Sequence, residues 1–240
     1  LALSTDTVAM QLERILQSQG FGTRKACRAL VRFDRVSVAG TPTANPFAEF
    51  TPDGLAFQVD GVDWSYREKA YLILNKPAGH ECSRSPKHHP SVLSLLPEPL
   101  RNRDVQPVGR LDEDTTGLLL LSDDGQFIHR LTSPRHKVAK VYEVTAKHPV
   151  DDGQIAALMA GVQLHDEPEP IVAAACERVS ERVIRLTLTE GKYHQVKRMV
   201  AAAGNRVEAL KRIAVGAIKL PDDLPEGGWR WLEADELEGL

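Results

Sequence analysis

The stretch VGRLDEDTTGLLLLSDDGQFIHRLTSPRHKVAKVYEV, residues 108–144, decides more of the fold than any other. Gly109 and Gly117 bracket a polar run that carries Arg110, Asp112, Asp114, Thr115 and Thr116. Four leucines follow at once, which reads as a buried strand over 118–122. Asp123-Asp124-Gly125 reads as a turn and helix N-cap, not as metal carboxylates, and opens a helix over 125–132. VYEVT, 141–145, is the next strand. A loop so dense in polar groups beside a core strand is a candidate site. Asp112, next to Leu111 and the leucine strand, needs hydrogen bonds or a cation, because an isolated buried carboxylate is too costly.

Toward the C-terminus, IVAAACE (171–177) and VIRLTLT (183–189) read as strands, and 152–161 and 193–203 as helices. Ile184, Leu186 and Leu188 alternate with Arg185, Thr187 and Thr189, so one face of that strand is wetter than the other. An antiparallel sheet covered on one side suits this better than a doubly wound parallel one. In EGKYHQVKRMVAAAGNRV (190–207), Val196, Met199, Val200 and Ala203 form a helical stripe ending at Gly204-Asn205, a natural C-cap. Lys197 and His194 flank the stripe and are candidates for the cation that Asp112 needs. Gln195 and Arg198 are expected to point outward, and Asp114 to make local hydrogen bonds.

Toward the N-terminus, YLILNKP (71–77) reads as the first strand of this unit, and DWSYREKA (63–70) as a polar linker into it. Before the linker, Leu12, Ile15, Leu16 and Gln19 share helical spacing, Gly20 to Gly22 break it, and TRKACRALVRFDR (23–35) resumes it. Ala26, Ala29, Leu30 and Phe33 are expected to make the buried stripe of this second helix, with Arg24, Arg28, Arg32, Arg35 and Lys25 on the other side. VSVAG and LAFQVDG follow as small strands, with prolines between them. The fold class is therefore α+β: a small domain over 10–62 and a larger one over 71–240, built on a mostly antiparallel mixed sheet with flanking helices. Residues 1–9, before the first Met, are expected to be a leader or tag remnant.

A formal charge of −3 is unusual for a nucleic-acid binder. Distribution matters more than the total, and the arginine face at 24–35 is where phosphates would be met. Three well-separated cysteines without CxxC spacing argue against a disulfide framework and a zinc site, and point to a reducing cytoplasm. No apolar run reaches membrane-spanning length, and the start lacks a signal-peptide pattern. His88, His89 and His194 have no ligand-like spacing, so no metal is expected. A hydrolase triad is disfavoured because no GxSxG elbow occurs. Without heptads, the chain is expected to be a monomer.

Residues 10–62 resemble the S4 RNA-binding domain in their order of short helix, Gly, Arg-rich helix and strand-turn-strand. Glu13 stands where an Asp is usual, and Ala39-Gly40 where Asn-Gly is usual. The strings LNKPAG, GRLDEDTTGLLLLSDDG, KVYEV and EGKYHQVKRM, following that domain in this order, resemble the RsuA family of bacterial pseudouridine synthases over residues 10–236. HQVKRM and SPRH are most similar to the family's small-subunit branch, which implies 16S rRNA, and within it uridine 516, as substrate. By the same resemblance Asp112 is the catalytic aspartate and Lys197 its basic partner. Val196 packs on the extruded base, Tyr142 stacks on it and serves in proton transfer, and Arg110 reaches the RNA where the base has left. The reaction implied is an isomerisation that needs no cofactor. Two alternatives stay open: a 23S rRNA enzyme of the same family, and a noncatalytic S4-type RNA-binding protein.

Overall fold

The computed structural model describes residues 8–240. The leader expected over 1–9 lies outside them except for Val8 and Ala9, which join no helix or strand. No described helix is long and apolar enough to cross a membrane.

The chain divides into two compact units. The first runs to Ala70 and includes Leu96–Val105. Strand β1 (Met10–Gln11) leads into α1 (Leu12–Ser18) and α2 (Arg24–Arg32), followed by β2 (Val36–Val38), β3 (Thr41–Pro42), β4 (Glu49–Phe50), β5 (Ala56–Val59) and β6 (Val62–Ser65). β1 pairs with β4, and the other four form an antiparallel sheet in the order β3-β2-β5-β6. A short helix, α3 (Glu98–Asn102), completes the unit. Gly20 turns α1 into α2 at φ +90°, and a Cβ there would stand 1.9 Å from the carbonyl oxygen of Pro99, so only glycine fits. Thr23 caps α2 by accepting the amide of Ala26 at 3.2 Å.

Two expectations fail in this unit. The buried side of α2 is Cys27 and Val31, with Leu30 packed against the same core, while Ala26 is exposed and Phe33 is 74% exposed. The spacing was right and its phase was wrong, because Cys27 and Val31 also lie four apart and they face Leu12, Leu16, Val36 and Phe57. The polar linker does not begin at Asp63 either. Asp63, Trp64 and Ser65 belong to β6, paired with β5 through the turn Asp60-Gly61, whose φ values of +53° and +77° suit a two-residue hairpin.

The second unit comprises Tyr71–Leu95 and residues 106–240. Its elements are β7 (Tyr71–Lys76), β8 (Gln106–Pro107), β9 (Thr116–Ser122), α4 (Gly125–Thr132), β10 (Lys140–Ala146), α5 (Asp152–Ala160), β11 (Ala175–Arg178), β12 (Val183–Leu188), α6 (Gln195–Ala202), β13 (Val207–Val215), β14 (Ile218–Lys219), β15 (Trp229–Trp231) and α7 (Ala234–Glu238). The sheet runs β11-β12-β10-β13-β9-β7-β15, with β14 on β13 and β8 on β9. Every pair is antiparallel except β9 with β13. This is the α+β class expected, with a mostly antiparallel mixed sheet.

β7 and β9 are buried on both faces, as their unbroken apolar runs require, whereas β12 alternates as its sequence does. Leu118 and Leu120 join Ile73, Phe127 and Leu131 in one core cluster. Each such side chain contributes about 1.5–3 kcal/mol on burial. Asp124 caps α4, accepting the amides of Gln126 and Phe127 at 2.9 and 3.3 Å, which makes it the structural residue expected. The strand expected over 171–177 is shorter and later, Ala175–Arg178. β13 is a full central strand that sequence reading passed over, since Glu208, Lys211 and Arg212 break up its apolar alternation.

Candidate active site

The polar loop between Gly109 and Gly117 is pinned from beneath by Lys76, the last residue of β7. This lysine is wholly buried, and its Nζ donates to the carbonyl oxygens of Pro77, Glu113 and Thr115 at 3.0, 3.0 and 2.9 Å. Burial pushes its pKa down, against the nearby acidic groups that favour the charged form. Within the loop the amide of Thr115 donates to the carbonyl of Asp112 at 3.1 Å, and Gly79 reaches Glu113 at 2.8 Å. Sequence reading quoted Lys76 only as part of a string. A lysine closing an apolar strand ahead of a proline was the available signal.

At the far end of the loop, Gly117 has φ +100°, and a Cβ there would lie 2.2 Å from the carbonyl oxygen of Arg212. That close approach is the parallel contact of β9 with β13, where Thr116 and Gly117 pair with Lys211 and Arg212. The buried Arg212 donates through Nε to the carbonyl of Leu118 at 2.8 Å. The loop is thus held beneath its middle and at its C-terminal end, and it presents Asp112.

Helix α6 brings the cation. Lys197 Nζ is 3.3 Å from Asp112 Oδ2, and His194 Nε2 is 3.4 Å from Asp112 Oδ1. Asp114 is not a merely local hydrogen-bonding group: Lys197 donates to both its oxygens, at 2.7 and 2.9 Å. Desolvation is the largest influence on Lys197 and would lower its pKa, but the bonds and charges of Asp114 and Asp112 outweigh it and hold the ammonium above the usual lysine value. Desolvation would likewise raise Asp114, and Lys197 holds it below the usual carboxylate range instead. Two carboxylates therefore share one lysine.

The start of α6 is braced by a residue expected to point outward. Gln195 is 4% exposed; its side chain accepts the amide of Lys192 at 2.8 Å and donates to Glu190 at 3.0 Å. Arg198 pairs with Asp166, and Lys192 with Glu167 at 2.5 Å. Val196 and Met199 face the core as the stripe predicts. The helix ends at Gly204, φ +89°, with the amide of Asn205 returning to Val200 at 3.0 Å.

Arg110, Asp112, Tyr142, Val196 and Lys197, scattered over 88 positions of sequence, all line one concavity. It adjoins a larger cavity of about 440 Å³, whose wall includes Arg110, Asp112, Tyr142, Tyr193 and His194. That volume is within the range of ordinary small-ligand sites, roughly 300–1,000 Å³. Tyr142 is 8% exposed, whereas Arg110 is open to solvent. Tyr193 and His194 belong to this wall; His194 is one of the two cation candidates that the sequence offers Asp112, whereas no sequence pattern singles out Tyr193.

The five basic residues between positions 24 and 35 fare unequally. Arg28 is tied to the buried carboxylate of Glu13, and Arg35 holds Asp60 through two bonds of 2.6 Å. Arg24 hydrogen-bonds Gln17 at 3.2 Å. Among the described residues no ion pair joins Arg24, Lys25 or Arg32 to a carboxylate.

The family model for RNA pseudouridylate synthase matches residues 70–202, the span that holds every residue of this concavity except Leu210. The ribosomal small subunit pseudouridine synthase A of Salmonella typhimurium is 42% identical over 232 residues, covering 96% of this chain and all of that one. The protein of the same name from Escherichia coli is 40% identical with the same coverage. An uncharacterized RNA pseudouridine synthase of Bacillus subtilis is 39% identical, over 96% of this chain and 98% of its own. A crystal structure of a pseudouridylate synthase superposes with a TM-score of 0.68 at 35% identity, over 96% of this chain and 99% of that chain. With likeness in sequence and fold extending over nearly all of its length, this chain belongs to the RNA pseudouridylate synthase family.

Proposed function

We propose that this chain isomerises one uridine of 16S rRNA, uridine 516 by the likeness of its motifs, to pseudouridine, with Asp112 acting on the ribose. The observation that carries the reading is the carboxylate of Asp112 in a cavity wall, 3.3 Å from the Lys197 ammonium and sharing that wall with Tyr142 and Arg110. The names of the small-subunit relatives support the choice of rRNA.

The chemistry asks for few parts. The N1–C1′ bond breaks, the uracil turns within its pocket, a C5–C1′ bond forms, and the C5 proton leaves as N1 gains one. Nothing is added or removed, so the reading includes neither cofactor nor metal. Asp112 serves either as a nucleophile at C1′, as carboxylates do in glycosidases, or as the base that removes the C2′ proton to give a glycal. Both routes need it ionised, which the adjacent ammonium favours. Tyr142 and Val196 cover the extruded uracil, and Arg110 occupies the place it vacates, offsetting an unstacking cost on the order of a few kcal/mol. The first unit, read as an S4-type module, grips RNA through Arg24, Lys25 and Arg32. Arg28 and Arg35 serve it chiefly through their ion pairs. The enzyme works as a cytoplasmic monomer on ribosomal RNA or an assembling subunit.

Asp112→Asn tests this directly. Carbodiimide mapping of rRNA from cells carrying that variant should lose one 16S signal, and the purified variant should still bind the transcript. Loss of a 23S signal instead would move the substrate to the large subunit, and full activity would remove Asp112 from the mechanism.

A further inference from the structure

Tyr193 is an oddity in a chain that buries most of its large side chains: 77% of it is exposed, at the wall of the cavity that holds Asp112. It is not a loose surface residue. One face of its ring lies on the His194 ring, with centroids 3.8 Å apart and planes 18° from parallel. His194 in turn directs Nε2 to Asp112 at 3.4 Å. The backbone is held as firmly: Arg198 Nη1 donates to the carbonyl of Tyr193 at 3.1 Å, and buried Gln195 clamps Lys192 on the other side. His194 itself is left-handed at φ +47°, a conformation that costs a non-glycine residue on the order of 1–3 kcal/mol and that collects at functional sites. An aromatic ring braced on one face and open on the other, at the mouth of a nucleotide-sized cavity, is a stacking surface with its ordering cost already met.

We propose that Tyr193 is the platform on which the unpaired base next to the extruded uridine stacks, extending the column base–Tyr193–His194 up to Asp112. Purines and pyrimidines both offer a π face, and extrusion of the target strips its neighbour of one stacking partner, so the open ring replaces what was lost. The platform is a binding feature and takes no part in bond making. It rests on the uridine-modifying reading given above.

The test uses a 16S rRNA fragment with the target uridine, made intact or with the 5′ or 3′ neighbour abasic. The wild-type protein should lose about ten- to a hundred-fold in kcat/KM on one of the two abasic RNAs, mostly through KM. Tyr193→Phe should behave as wild type. Tyr193→Leu should lose as much on the intact RNA and no longer distinguish the abasic one. Equal activity of Tyr193→Leu and wild type, or an abasic penalty that persists in Tyr193→Leu, overturns the platform. A second arm needs no turnover: 2-aminopurine at the neighbouring position should be quenched on binding to Asp112→Asn and not on binding to the Asp112→Asn, Tyr193→Leu double variant. Quenching without any pseudouridine from the wild-type protein would sink the proposed function and leave the platform standing, while no quenching in Asp112→Asn sinks the platform.

Discussion

Lys197 stands 2.7 Å from one oxygen of Asp114 and 3.3 Å from one of Asp112, so its proton answers to two carboxylates at once. Its pKa is raised despite burial, and Asp114 is a principal cause. Asp114→Asn removes that support while leaving Asp112 with its lysine. In the proposed function the ammonium is the working form and persists below the lysine pKa, so lowering that pKa should move the alkaline limb of kcat/KM to lower pH. A profile from pH 7 to 11 with an unmoved alkaline limb would show that Asp114 does not tune the lysine. At this scale the roles proposed for Asp112 and Lys197 rest on their likeness to family motifs, whereas the placing of Asp114 comes from the fold alone. A bond across 83 positions leaves no local trace in the sequence.

Turns and strands show where local chemistry is strict and where it gives way. The β2–β3 hairpin closes on Ala39-Gly40 with φ +49° and +79°, the two left-handed positions of a type I′ turn. Alanine tolerates that region poorly, at a cost of roughly 1–2 kcal/mol, and asparagine is the residue that visits it readily. Ala39→Asn should therefore stabilise the first unit by about 0.5–1 kcal/mol, read as a higher urea midpoint at unchanged m-value. A midpoint that stays put would mean that the turn relaxes around alanine. The same scale explains the misphased stripe of α2. Helical period was legible in residues 23–35, but Ala26-Phe33 and Cys27-Val31 are both consistent with it. Only the partners on α1, β2 and β5 select the second set.

Across the whole molecule, 30 basic and 33 acidic residues give a charge that would repel RNA if it were spread evenly. Pairing makes it uneven: Glu13 and Asp60 engage Arg28 and Arg35, while among the described residues no carboxylate pairs with Arg24, Lys25 or Arg32, the three proposed to meet phosphate. Replacing these three together by Gln should lower the slope of log Kobs against log salt by about two on a 16S transcript. A slope equal to that of the parent protein would exclude this face from the RNA interface. What the sequence by itself determined is whatever local pattern or motif carries: the α+β class, the strands at 71–77, 118–122 and 183–189, the helix caps, and the loop with Asp112. Only the tertiary structure decided that Leu96–Val105 joins the first unit, that β13 runs through the middle of the sheet, and that Asp114 shares Lys197 with Asp112. The physical reason is range. Periodicity reports which side of an element is apolar, but partners some 80 positions apart are chosen by packing and charge in three dimensions, after the elements exist.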